Sequence, residues 1–84
     1  MKLWKISQSQ NTTWDVYRAA VVAAETESEA RSTDPYDGSQ ITNWDDAWLK
    51  GYWCHAPNAV TVEYLGEGRA GMKAGIVLSD FGNG

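Results

Sequence analysis

The sequence predicts one small α+β domain spanning residues 1–84, with four strands in ββαββ order. They form a mainly antiparallel four-stranded sheet carrying one short helix, and a second helical turn is placed near residues 44–50. Three observations lead there. The chain has 84 residues, which fits one domain. Alternating apolar and polar stretches occur near both ends, with a helix-capping pattern between them. Hydrophobic residues make up 43% and charged residues 21%, the balance of a folded chain rather than a disordered one. A chain of this size buries only about 60–65% of its unfolded surface. With Cys54 its one cysteine, no intrachain disulfide can help. Five tryptophans, Trp4, Trp14, Trp44, Trp48 and Trp53, supply large buried area instead.

The first strand runs from Lys2 to Gln8, where Trp4 and Ile6 alternate with Lys5 and Ser7. Ser9 to Thr13 is a polar turn. A longer strand follows over Trp14 to Ala24. It alternates at first and becomes continuously apolar from Ala19, as expected of a strand running inward until both its faces are covered. Thr26-Glu27-Ser28-Glu29 is a capping box. The Thr26 hydroxyl accepts from the Glu29 backbone N–H while the Glu29 side chain reaches back. Asp34-Pro35 stops this helix after about two turns, because proline disfavours helical geometry in the residue before it.

Residues 36–58 read as irregular or briefly helical. Asp37-Gly38 is a turn signal. Asn43 can cap a short helix from Trp44 to Lys50 that places Trp44, Ala47 and Trp48 on one face, with Gly51 just past its end. Ala59 to Leu65 is the cleanest strand, with Val60, Val62 and Tyr64 on one side and Thr61 and Glu63 on the other. Glycines punctuate residues 66–75, and Gly75 to Phe81 gives a last strand. The last two strands are expected to form a hairpin.

The net charge is −4, and residues 25–46 hold seven acids against the single base Arg31. That segment carries −6 and the remainder +2. Direct nucleic-acid binding is disfavoured, since it needs a basic face to release counterions. An acidic face suits a basic partner, although a solvated acidic surface also keeps a small protein in solution. The longest apolar run, Ala19 to Ala24, is too short for a membrane span, and residues 1–10 carry no signal-peptide pattern. The expected location is the cytoplasm, where the sequon at Asn11 has no meaning.

Several motifs resemble chemical sites. Gly66-Glu67-Gly68-Arg69-Ala70-Gly71 matches the dinucleotide fingerprint, but too little chain follows for the helix, parallel strand and acid that the fold requires. Arg69 and Lys73 remain a minor anion-binding candidate. Cys54 and His55 are adjacent and point apart in an extended chain, so a packed thiol beside a surface imidazole is expected. The pairs Asp45/Asp46 and Asp34/Asp37 lack the alternating ligand spacing of a calcium loop. Neither a cofactor, a metal nor a catalytic set is expected.

Met1 to Gln8, Val21 to Arg31, Val60 to Gly66 and Gly75 to Gly84 together resemble a group of small uncharacterised proteins of tailed bacteriophages and prophages. The resemblance implies an accessory phage gene product acting in the cytoplasm of a bacterial host. The leading expectation is a non-enzymatic protein that modulates or inhibits a host factor with a basic surface, counter-defence such as anti-CRISPR activity being one form. Asp34, Asp37, Asp45 and Asp46 would supply the charge, and Trp44 or Trp48 an aromatic anchor. A nucleotide-sequestering module is the alternative, and a small hydrolase or metal enzyme ranks last. A homodimer is compatible with the surplus of aromatic residues.

Overall fold

A computed structural model of the chain describes residues 1–82. Strands β1 (Lys2–Ser7) and β2 (Val16–Ala24) are followed by helix α1 (Glu27–Arg31) and helix α2 (Ala47–Lys50). A 3-10 turn over Pro57–Ala59 then leads into β3 (Thr61–Glu67) and β4 (Gly75–Gly82). The four strands form one antiparallel sheet in the spatial order β3-β1-β2-β4. The class is therefore α+β, a four-stranded antiparallel sheet with short helices.

The register decides which side chains share a face. Ile6 lies opposite Ala20 and Val62, and Trp4 opposite Val22 and Tyr64. Directly paired residues point the same way, so these side chains line one face. That face holds the core. Ile6, Val22, Ala24, Ala30, Trp53 and Cys54 are fully or almost fully buried, joined by Ala20, Leu49 and Val60. Trp4 seals one end of it, its ring meeting the Tyr64 ring edge-on at 5.2 Å while its indole N–H donates to the Ala24 carbonyl at 3.0 Å. The opposite face carries Leu3, Lys5, Val21, Glu63 and Leu78.

α1 is short because its two ends are fixed by sequence. The Thr26 hydroxyl accepts from the Glu29 N–H at 3.2 Å and pairs with the Glu29 carboxylate at 3.3 Å, the expected capping box. Ala30 is the residue that the helix buries, against β1, β2 and β3. Arg31 holds the far end, donating to the carbonyls of Pro57 and Val60 and pairing with Glu27 at 3.2 Å. Both faces of β2 do become covered toward its end, where Val22, Ala23 and Ala24 are all buried.

Three expectations about the elements are corrected. β2 begins at Val16 rather than Trp14, because Asp15 sits at φ 61°, a left-handed turn conformation that no strand continues through. Trp14 is left 74% exposed. α2 begins at Ala47 rather than Trp44. Asp46 is its cap, accepting from the Trp48 N–H at 2.8 Å, while Asn43 closes a separate turn on the Asp45 N–H at 3.1 Å. Trp44 and Trp48 consequently do not share a buried face. The last two strands do not form a hairpin. β3 pairs with β1 and β4 with β2, on opposite edges of the sheet, and the glycine-rich connection crosses its end. There the Gly68 N–H donates to the Met1 carbonyl at 2.7 Å. A Cβ at Gly68 would meet that carbonyl oxygen at 3.0 Å and the Met72 sulfur at 2.9 Å, so the connection needs glycine where it crosses.

Candidate functional site

The segment between α1 and β3 is fixed by side chains that bond to the backbone. The Asp34 carboxylate accepts from the Tyr36 N–H at 2.8 Å and from the Tyr52 hydroxyl at 2.7 Å. Asp37 accepts from both the N–H and the hydroxyl of Ser39, at 2.9 and 2.7 Å. Those two bonds hold the Asp37 carboxyl below the usual range. Gly38 takes φ 78° where a Cβ would come within 3.0 Å of the Ile76 nitrogen, so this turn packs directly on β4.

The other anchor comes from the β1–β2 loop. The Asn11 amide donates to the carbonyls of Lys50 and Trp53 at 2.9 and 3.0 Å. Its own N–H donates to the Gln8 side chain at 2.8 Å, and Gln8 donates to the carbonyls of Asn11 and Tyr17. Gln8 and Asn11 are buried polar residues that close the α2 region onto the sheet. The Tyr17 N–H then donates to the Tyr52 carbonyl at 2.9 Å, bringing the start of β2 alongside the segment after α2.

These ties assemble a cluster of rings. Tyr17 and Tyr52 meet edge-on at 5.8 Å, and Tyr36 and Tyr52 lie tilted at the same separation. Together with Trp48 and Asp15 they line an open cavity of about 400 Å³. Trp48 is 79% exposed and Tyr36 67%. A second cavity of about 170 Å³, lined in part by Asp34, Asp46, Trp48 and Tyr52, adjoins it through the two shared rings. Burial, the bond to Asp34 and the nearby charges of Asp34, Asp37 and Asp46 push the Tyr52 hydroxyl well above its ordinary pKa. Burial, Tyr36 and Asp34 raise that of Tyr17. Asp34, Asp37 and Asp46 thus bring negative charge to Tyr52, and Asp34 to Tyr17.

The sequence-derived site residues separate into two groups. Asp37, Asp45, Asp46 and Trp48 are exposed. Asp34 is 8% exposed, with its carboxylate bonded internally, so it shapes the loop rather than offering a free charge to a partner. Trp44 is half-buried against the core. Tyr36 and Tyr52 lie in the ring-rich segment 36–58 that the sequence marks for recognition, but the sequence reading missed Tyr17 and Asp15, whose convergence on them depends on the Asn11 and Gln8 anchors. Arg69 and Lys73 are exposed on the connection between β3 and β4 and line none of the cavities described here.

The largest of these cavities, about 500 Å³, lies at the β1–β2 loop among Gln8, Asn11, Thr13, Trp14 and Arg18. Its two amides are already bonded to loop carbonyls, and their role is structural. Cys54 is buried, its thiol pushed up by desolvation, and His55 is exposed. Among the described residues no group of three or more His, Cys, Asp or Glu could hold a metal ion, and no helix is long and apolar enough to cross a membrane. The fold and face define a small α+β domain presenting rings beside carboxylates. Compared with known protein families, curated proteins and solved structures, the chain matches none.

Proposed function

We propose that the chain is a non-enzymatic binding protein that docks through its acidic and aromatic face on a basic surface of another protein. The observation that carries this reading is the pair of large rings, Trp48 and Tyr36, left mostly exposed on a backbone that is firmly hydrogen-bonded. Single exposed apolar residues are ordinary, but two exposed aromatic rings lining one cavity have the composition of an interface anchor. Asp37, Asp45 and Asp46, close to Tyr36 and Trp48 in the chain, are exposed, and such negative charge speeds encounter with a basic partner and rejects acidic ones. Carried on a hydrogen-bonded backbone, the rings would lose side-chain but little backbone entropy on binding.

In the setting that the phage resemblance implies, the partner is a host factor of the bacterial cytoplasm. Occupying a basic nucleic-acid groove, as a counter-defence protein would, suits this charge. The test is reversal of Asp45 and Asp46 to Lys, with partner capture from bacterial lysate as the readout. Both side chains are exposed, but Asp46 caps α2, so the D45K/D46K protein should lose about 1 kcal/mol of stability, remain folded by circular dichroism, and lose capture. Undiminished capture by the folded D45K/D46K protein would sink the reading.

A further inference from the structure

We propose that the cavity formed by Tyr17, Tyr36, Trp48, Tyr52 and Asp15 receives an arginine side chain of the partner protein. The proposal rests on the docking reading above and names the group that enters. Four aromatic rings converge on one open space of about 400 Å³, and the lining includes one carboxylate, Asp15. Aromatic rings around a space favour a cation wherever they turn a face to it, because the ring face carries the negative side of the quadrupole. A guanidinium suits it better than an ammonium. It is flat enough to stack on a ring, sheds water more readily, and forms two parallel hydrogen bonds with a carboxylate.

The electrostatic surroundings point the same way by an independent route. The carboxylate of Asp34 lies 2.7 Å from the Tyr52 hydroxyl, and Asp37 and Asp46 act on the same hydroxyl through space. None of those three lines the ring cavity itself, so rings and field are separate contributions that favour the same charge. The one base of the acidic segment 25–46, Arg31, is occupied elsewhere by Glu27 and the carbonyls of Pro57 and Val60. Lys50 pairs with Asp45 at 3.6 Å.

The test is an NMR titration of the full chain with N-acetyl-arginine amide, following the Trp48 indole and the tyrosine ring resonances. The neutral isostere N-acetyl-citrulline amide and N-acetyl-lysine amide serve as controls. Saturable shifts at Trp48, Tyr36 and Tyr52 are expected with the arginine probe and not with citrulline, and lysine should bind more weakly. Trp48→Ala should weaken arginine binding by roughly tenfold. Asp15→Asn should weaken it several-fold, and asparagine tolerates the left-handed backbone at that position. Equal shifts with citrulline, equal binding of lysine, or no shift with any probe would each overturn the assignment. Shifts of the same resonances on simple dilution of the protein would place a second copy in the cavity and overturn it as well. The docking reading fails separately, through capture by the D45K/D46K protein, since neither of those residues lines the ring cavity.

Discussion

Trp53 and Trp48 are five residues apart in one loop, yet the first has no exposed surface and the second is 79% exposed. Helix α2 separates their fates. Its single turn points Leu49 into the core, lets the chain fold back so that the Trp53 N–H reaches the Leu49 carbonyl at 2.9 Å, and leaves Trp48 outward at its first turn. A small domain without disulfides needs large rings inside, and Trp53, with its neighbours Trp4 and Trp44, meets that need. Trp48 does not. Its surface has no folding role to explain it, which is why function is sought there.

The largest expected effect sharpens this contrast directly. Trp53→Ala should cost about 3–5 kcal/mol, enough to unfold much of so small a domain. Trp48→Ala should change stability by less than about 0.5 kcal/mol. Urea denaturation of the two variants measures both, and similar losses would erase the distinction. Next in size is Asn11→Ala, which strips the amide donors from the carbonyls of Lys50 and Trp53 and should cost about 2–3 kcal/mol. Because these bonds bring the ring cluster together, the variant should also weaken binding through the cavity. Loss of stability with binding unchanged at low temperature would show that the cluster assembles without that anchor.

A smaller effect follows from Tyr52. Its pKa is raised in the fold by burial first and then by Asp34. Folding thus favours the neutral phenol, and the stability it contributes is fully present below the unfolded tyrosine value of about 10. That contribution declines as pH rises from there toward the higher folded value. Wild-type stability should therefore fall above about pH 10, and Tyr52→Phe should flatten that part of the fall. Denaturation midpoints between pH 8 and 11 check it, and an unchanged slope in the variant would refute it.

The local elements were legible because local chemistry fixes them. Thr26 and Glu29 declare the start of α1, and the alternation around Ile6 and Val62 declares β1 and β3. The neighbours that strands choose were not legible. The glycine-rich stretch after β3 has the composition of a hairpin turn, but β1 and β2 each present a free edge, and β3 and β4 fill one apiece. Of the predicted face, Asp37, Asp45, Asp46 and Trp48 lie at the surface, while Asp34 and Trp44 turn inward. Hydropathy could not reveal this, because a carboxylate looks solvent-seeking until a phenol such as that of Tyr52 reaches it. That Tyr17 joins Tyr36 and Tyr52 was hidden for a related reason. Their meeting depends on Gln8, read as the end of the first strand, and Asn11, in the polar turn, polar residues whose burial no apolar periodicity announces.

The splitting of β3 and β4 to opposite edges also has a consequence in time. On the ribosome, β1 and β2 emerge first and can zip at once, being neighbours in the chain and in the sheet. The outer edge of β2, at Val21, Val22 and Ala23, must wait for β4, the last of the four described strands. Until β4 arrives, the nascent protein carries an open template for strand addition at the middle of its future sheet, accessible to another nascent copy or to a chaperone. Translation pauses or truncations before Gly75 would prolong that exposure, because the edge of β2 closes only when β4 has been made.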